Sequence, residues 1–275
     1  MAKEYSAAKW YWLGIIILQV VLLIASVASL AIQSRAALLV LGGLVFAIPL
    51  TTLALKELAG TRYAQGERLR RLYVLHNALG REPDRIEVLL AAADETILPK
   101  SGPEPIGSYF NSGLKPGYQR LAHVAQESAF YTRRIAKASA TGCGILALAG
   151  VMVAIGVLWW GAQQTIPSVT AASGTWIRGE RTARVFTEVF GFFAAGVFAE
   201  LALSFRSLAK TAENVFEKCA GLLHQTDVAP TDVFWQVGIY DAALAKAPPL
   251  PDFVKRMYAQ RLARSWASHE NQAGT

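Results

Sequence analysis

The sequence predicts an all-α polytopic membrane protein with four transmembrane helices and a helical cytosolic domain, on the strength of three observations. Of the 275 residues 53% are hydrophobic and only 17% are charged, where a soluble domain carries about a quarter of its residues as Asp, Glu, Lys or Arg. The apolar residues are gathered into four runs, each close to the roughly 20 helical residues that cross about 30 Å of hydrocarbon. Basic residues are distributed unevenly between the two ends of those runs.

The first run, 10–32, is uncharged and holds one strongly polar side chain, Gln19. Gln33-Ser34-Arg35 separates it from the second, 36–55, which is also uncharged and has Pro49 near its end. So short a connection implies a tight helical hairpin. The third run, 138–162, opens with Thr141-Gly142-Cys143-Gly144 and closes with Trp159-Trp160. The fourth, 185–205, contains six Phe and two acids, Glu188 and Glu200. A cleavable signal peptide is the rival reading of the first run, but the run is longer than a signal core and a second span follows at once.

Lys and Arg near the ends of the runs set the orientation. Residues 3–9, 56–71, 120–137 and 206–218 supply 14 such charges, against four at Arg35, Arg178, Arg181 and Arg184. Both termini and the long middle segment are therefore expected in the cytoplasm. The cytosolic part comprises 56–137 and 206–275. It is expected to begin with a helix over 56–79, followed by a short helix from Pro83 through Ala93. Residues 100–119, with four Gly and three Pro, read as a loop. A helix from about Gly117 then runs without a breaker into the third span. Leu208, Ala212, Val215, Phe216, Cys219, Leu222 and Leu223 recur at three and four residues, the spacing of a buried helical stripe. Thr231 is the expected cap of a helix over 232–246, which Pro248-Pro249-Leu250-Pro251 stops. Phe253, Met257, Leu262 and Trp266 mark a last helix.

No enzymatic signature emerges. His76, His123, His224 and His269 are scattered, with no metal-ligand spacing. There is no phosphate loop and no nucleophile elbow. Gly142-Cys-Gly144-Ile-Leu-Ala147 imitates a dinucleotide fingerprint, but no strand precedes it, and small residues in a span serve close helix packing. Cys143 and Cys219, 76 residues apart, form no disulfide framework and read as packing residues. No catalytic residue, metal or cofactor is expected.

Ionisable residues in a span are costly and face a partner or water. Glu200 lies on the cytosolic half of the fourth span, and Glu188 lies nearer the outer surface, about 18 Å away along the helix axis. Glu200 is read as a structural hydrogen-bonding group, as the carboxylate of a cation path, or as part of a proton or substrate relay. A path would need several chains around an axis, because four apolar spans offer little polar lining. A symmetric homo-oligomer, with a tetramer as first expectation, follows. The net charge of +7 fits positive-inside loops and equally an anionic partner. Arg68, Arg70, Arg71, Arg120, Arg133 and Arg134 are the candidate phosphate-reading residues, with contact to anionic headgroups as the plainer alternative.

Three stretches carry a family resemblance. They are Tyr5-Ser-Ala-Ala-Lys9, then Tyr109-Phe-Asn-Ser through Gln119-Arg-Leu and Glu127-Ser-Ala-Phe-Tyr-Thr-Arg133, then Tyr240-Asp-Ala-Ala-Leu through Ala247-Pro-Pro-Leu-Pro251 and Arg261-Leu-Ala-Arg-Ser-Trp266. With the span layout, they make the chain resemble the SMODS-associated four-transmembrane pore-forming effectors of bacterial antiviral systems. Members of that family carry more residues ahead of the Tyr-x-x-Ala-Lys element than the four before Tyr5, so a regulatory amino-terminal segment is expected to be short or absent. The resemblance implies a bacterial inner-membrane protein that permeabilises the membrane and arrests growth. It also implies control by a nucleotide or oligonucleotide from a cognate nucleotidyltransferase, acting as activator or as inhibitor. A secondary transporter and a membrane-anchored scaffold are the alternatives.

Overall fold

The computed structural model of the chain describes residues 2–28, 35–80, 112–164, 176–225 and 227–273. Among them are six helices and no strand: α1 (Ala2–Ala28), α2 (Arg35–Leu79), α3 (Tyr118–Gln164), α4 (Trp176–Leu223), α5 (Pro230–Lys246) and α6 (Asp252–Ala273). One helical segment among the described residues, Tyr118–Gly156, is long and apolar enough to cross a membrane, and Ser6–Leu22 is a shorter apolar stretch. The expected short helix over 83–93 and most of the loop over 100–119 lie outside the described residues.

The chain divides into two compact units. One comprises Trp10–Leu58 and Thr141–Leu203; the other comprises Met1–Lys9, Ala59–Ala140 and Ser204–Thr275. Helices α2, α3 and α4, of 45, 47 and 48 residues, each contribute to both.

In the first unit Leu22 and Ile48 are buried together, with Leu18 against them. At Gly14 of α1 an added Cβ would stand 3.6 Å from Leu55 Cδ1 of α2, an ordinary contact distance. The buried Gln19 Nε2 donates to Thr52 Oγ1 at 3.1 Å, so the polar side chain of the first run is satisfied across the helix pair. Pro49 leaves the Val45 carbonyl without its usual amide. Two residues on, the Thr51 hydroxyl donates to the Ala47 carbonyl at 2.9 Å. While Gln19 and Thr52 are buried, Ile24, Leu53, Leu148 and Leu203 are each more than 60% exposed. This unit thus buries a polar pair and leaves large aliphatic side chains outside.

The second unit has a core of its own. Ala78, Leu121, Ala122, Leu222, Val228 and Val233 form a buried cluster joining α2, α3, α4 and α5. The α4 stripe lies as its spacing predicts: Leu208, Ala212, Val215, Cys219 and Leu222 are buried, and Phe216 is half-buried. Gly80 ends α2 with φ +74°, and a Cβ on it would meet Pro116 at 2.7 Å. The chain then re-enters helix at Tyr118, and Gly117 N donates to the Ala78 carbonyl at 2.9 Å.

One local expectation is corrected. Thr231 is not the cap of α5: Ala229 occupies that position, no side chain caps it, and Pro230 sits in the first turn. Proline suits that place because its missing amide is an orphan there in any case. On α6, Phe253 and Met257 do not share the face of Leu262 and Trp266. Val254, Leu262 and Trp266 are buried, whereas Phe253 and Met257 are each 69% exposed.

Candidate functional site

Glu200 stands in the first unit, where its carboxylate is paired with the Lys56 ammonium. Lys56 is the first charge after the second apolar run and Glu200 the last acid of the fourth, so the pair joins α2 to α4. Two opposite charges in contact lower each other's cost of leaving water. In this conformation the Glu200 carboxylate has a cationic partner. Glu188 lies on α4 with its side chain outside the described residues.

The six arginines have different surroundings. Arg70 and Arg71 both reach from α2 to Asp241 on α5, whose side chain is only 6% exposed. Arg70 Nη2 lies 3.1 Å from Oδ1 and Arg71 Nε 2.9 Å from Oδ2, while Arg70 Nε also binds Glu67 Oε2 at 2.7 Å. Burial raises the Asp241 pKa although both guanidiniums pull it down. The neighbouring Tyr240 hydroxyl bonds Ser128 Oγ at 2.9 Å and Thr132 Oγ1 at 2.7 Å. Arg70, Arg71, Tyr240, Asp241 and Ser128 border a cavity of about 20 Å³, which admits no more than one water. This is a closed polar knot between α2, α3 and α5. Two of the stretches that carry the family resemblance, 127–133 and 240–244, meet in it.

The other four are held differently. Arg68 is exposed. Arg120 Nη2 donates to Asn77 Oδ1 at 3.2 Å. Arg133 Nη1 lies 3.2 Å from Glu213 Oε1, with its guanidinium 4.9 Å from the Phe216 ring centre. Arg134 is exposed, 5.7 Å from the Phe130 ring centre.

Arg133 and Arg134 border an aromatic cluster that the sequence reading did not find. Phe130 of α3 packs on Phe216 of α4 at 5.8 Å and on Trp266 of α6 at 5.3 Å. His269 joins Phe216 at 5.3 Å and Trp266 at 5.5 Å, and His123 meets Trp266 at 5.7 Å. One side of the cluster opens into a cavity of about 380 Å³, walled by Trp266, His123, His224, His269, Glu270, Gln119 and Gln126 together with Leu114, Ala220 and Leu223. Its volume is within the range of small-molecule sites, about 300–1,000 Å³. His123 Nε2 lies 3.3 Å from Glu270 Oε1, and His123 Nδ1 is buried without a partner among the described residues. Burial lowers the His123 pKa against the pull of Glu270. Burial, with Glu270 adding to it, lifts the nearby buried Glu127 to about 7.

Three of the four scattered histidines thus line one cavity. They come from α3, the end of α4 and α6, so no linear spacing could have joined them. No group of three His, Cys, Asp or Glu among the described residues is arranged to hold a metal ion. Cys219 is fully buried on α4, and burial pushes its thiol up to about 12, which suits a packing residue. Compared with protein-family models, with curated proteins and with solved structures, the chain matches none.

Proposed function

We infer that the chain is a four-span protein of a bacterial inner membrane whose copies assemble into a pore, with both termini cytoplasmic. The pore is controlled by a nucleotide or oligonucleotide bound to the unit formed by Met1–Lys9, Ala59–Ala140 and Ser204–Thr275. One observation carries the membrane part: in the unit of Trp10–Leu58 and Thr141–Leu203, Gln19 and Thr52 are buried while large aliphatic side chains face outward. In water such a surface would cost roughly 25 cal/mol per Å²; in hydrocarbon it costs nothing. The resemblance to the four-transmembrane effectors supplies the pore and the nucleotide, made by a cognate nucleotidyltransferase.

The cavity at Trp266 is the candidate ligand site. An indole flanked by imidazoles offers a stacking wall, amides and a carboxylate offer hydrogen bonds to a base edge, and Arg133 lies at the edge of the same cluster for a phosphate. Long helices that belong to both units give the ligand a route to the spans. The Lys56–Glu200 pair is the element that opening would break, releasing a carboxylate to favour cations.

Ion flux from liposomes carrying the purified chain tests this reading. A nucleotide or oligonucleotide should change the flux, and Glu200→Gln should reduce its preference for cations. Vesicles that stay tight with and without every such ligand contradict the pore.

A further inference from the structure

Helix α6 has a face that nothing among the described residues covers. Phe253, Arg256, Met257, Gln260, Arg261 and Arg264 follow at spacings of three and four and are all exposed, so they share one side of the helix. The opposite side, with Val254, Leu262 and Trp266, is buried. Two large apolar side chains thus stand among three arginines that form no ion pair among the described residues. Between Asp252 and Glu270 the helix contains no acid at all.

The start of α6 is fixed in place. Lys9 Nζ lies 2.7 Å from Asp252 Oδ1, and Lys9 is the residue that precedes the first apolar run. Buried Pro248, Pro249 and Leu250 hold the approach to the helix. If 10–32 crosses the bilayer, Lys9 stands at the cytosolic headgroups, and the first turn of α6 stands there with it. Phe253 and Met257 occupy that turn and the next one; the arginines extend along the helix from it.

We propose that this face of α6 is an interfacial anchor that lies on the cytosolic leaflet, with Phe253 and Met257 at the headgroup–acyl boundary and Arg256, Arg261 and Arg264 on anionic phospholipid headgroups. The composition is that of an in-plane amphipathic segment, apolar and basic on one exposed side. Each arginine near an anionic surface favours the bound position roughly fivefold. Trp266 and His269 lie on the same helix, so the anchor would hold one wall of the ligand cavity at a set height above the bilayer. The proposal rests on the reading of 10–32 as a span.

Spin labels on the full chain, reconstituted into nanodiscs, test it. One label replaces Met257 (Met257→Cys), a second an exposed position off the proposed face (Ala259→Cys), and a third the first apolar run (Val20→Cys), all without Cys143 and Cys219. In bilayers containing anionic lipid, relaxation of the 257 label by oxygen should exceed that by a water-soluble nickel complex, and the 259 label should show the reverse. The preference at 257 should fall at least severalfold in neutral lipid, and likewise on Arg256→Gln, Arg261→Gln and Arg264→Gln together. An aqueous 257 label with a lipid-buried 20 label would overturn the anchor alone. An aqueous 20 label would overturn the span beneath it, and the anchor with it. A 257 label that remains aqueous until a single-stranded oligonucleotide shields it would assign the face to nucleic acid and overturn the lipid proposal.

Discussion

Asp241 is a buried carboxylate held by two arginines of α2. Removing its carboxylate leaves Arg70 and Arg71 facing a buried vacancy, and breaking a buried pair from one side costs about 3–5 kcal/mol. Asp241→Ala should therefore sharply lower the unfolding temperature in detergent, while Arg71→Ala, half-exposed at its outer end, should cost no more than about 1 kcal/mol. Glu127 makes a pH-dependent prediction. Its folded pKa of about 7 exceeds the ordinary value of 4.5, so between those values the folded state holds a proton that the unfolded state has released. Stability from this residue is highest below pH 4.5 and falls as pH rises through 7. Glu127→Gln should match the natural chain at pH 5 and exceed it at pH 8 by about 1–2 kcal/mol after solvent screening. His123, with its lowered pKa, acts oppositely, its contribution being lost as pH falls below 6.5. Unfolding curves at the two pH values measure the balance. None of these partnerships could be read from the sequence. The arginines were visible as a basic run, but Asp241 lies 170 residues beyond Arg71, and only the folded chain brings them into contact.

Periodicity and breakers carried the helices well. The α4 stripe needs only the 3.6-residue repeat, and Pro248-Pro249 ends α5 because proline cannot continue a helix. Caps were less legible. Thr231 suits a cap chemically, but Pro230 sets the backbone one residue earlier. Phe253 and Met257 look like core residues because hydrophobicity alone does not say which solvent a face meets. Gly80 gives the clearest test at this level. Its φ of +74° and the approach of Pro116 exclude a side chain, so Gly80→Ala should destabilise the chain by at least about 1 kcal/mol. Gly60, where an added Cβ meets nothing within 4 Å, should accept Ala with a small gain in helix stability. Thermal unfolding of the two variants side by side gives the comparison.

At the scale of the whole molecule, the proposed bilayer reading rests on apolar blocking in the sequence and on the exposed aliphatic side chains of the first unit. The cavity at Trp266 was out of reach of that logic, since its walls come from three helices and its polar groups carry no motif. Site-directed cysteine labelling in intact cells tests the four-span arrangement most directly. Single cysteines at Ser6, Lys115 and Ala267 should react with a membrane-impermeant maleimide only after the inner membrane is opened. Cysteines at Ser34 and Ser173 should react without that step. Labelling of Lys115 or Ala267 from outside an intact inner membrane would contradict the account.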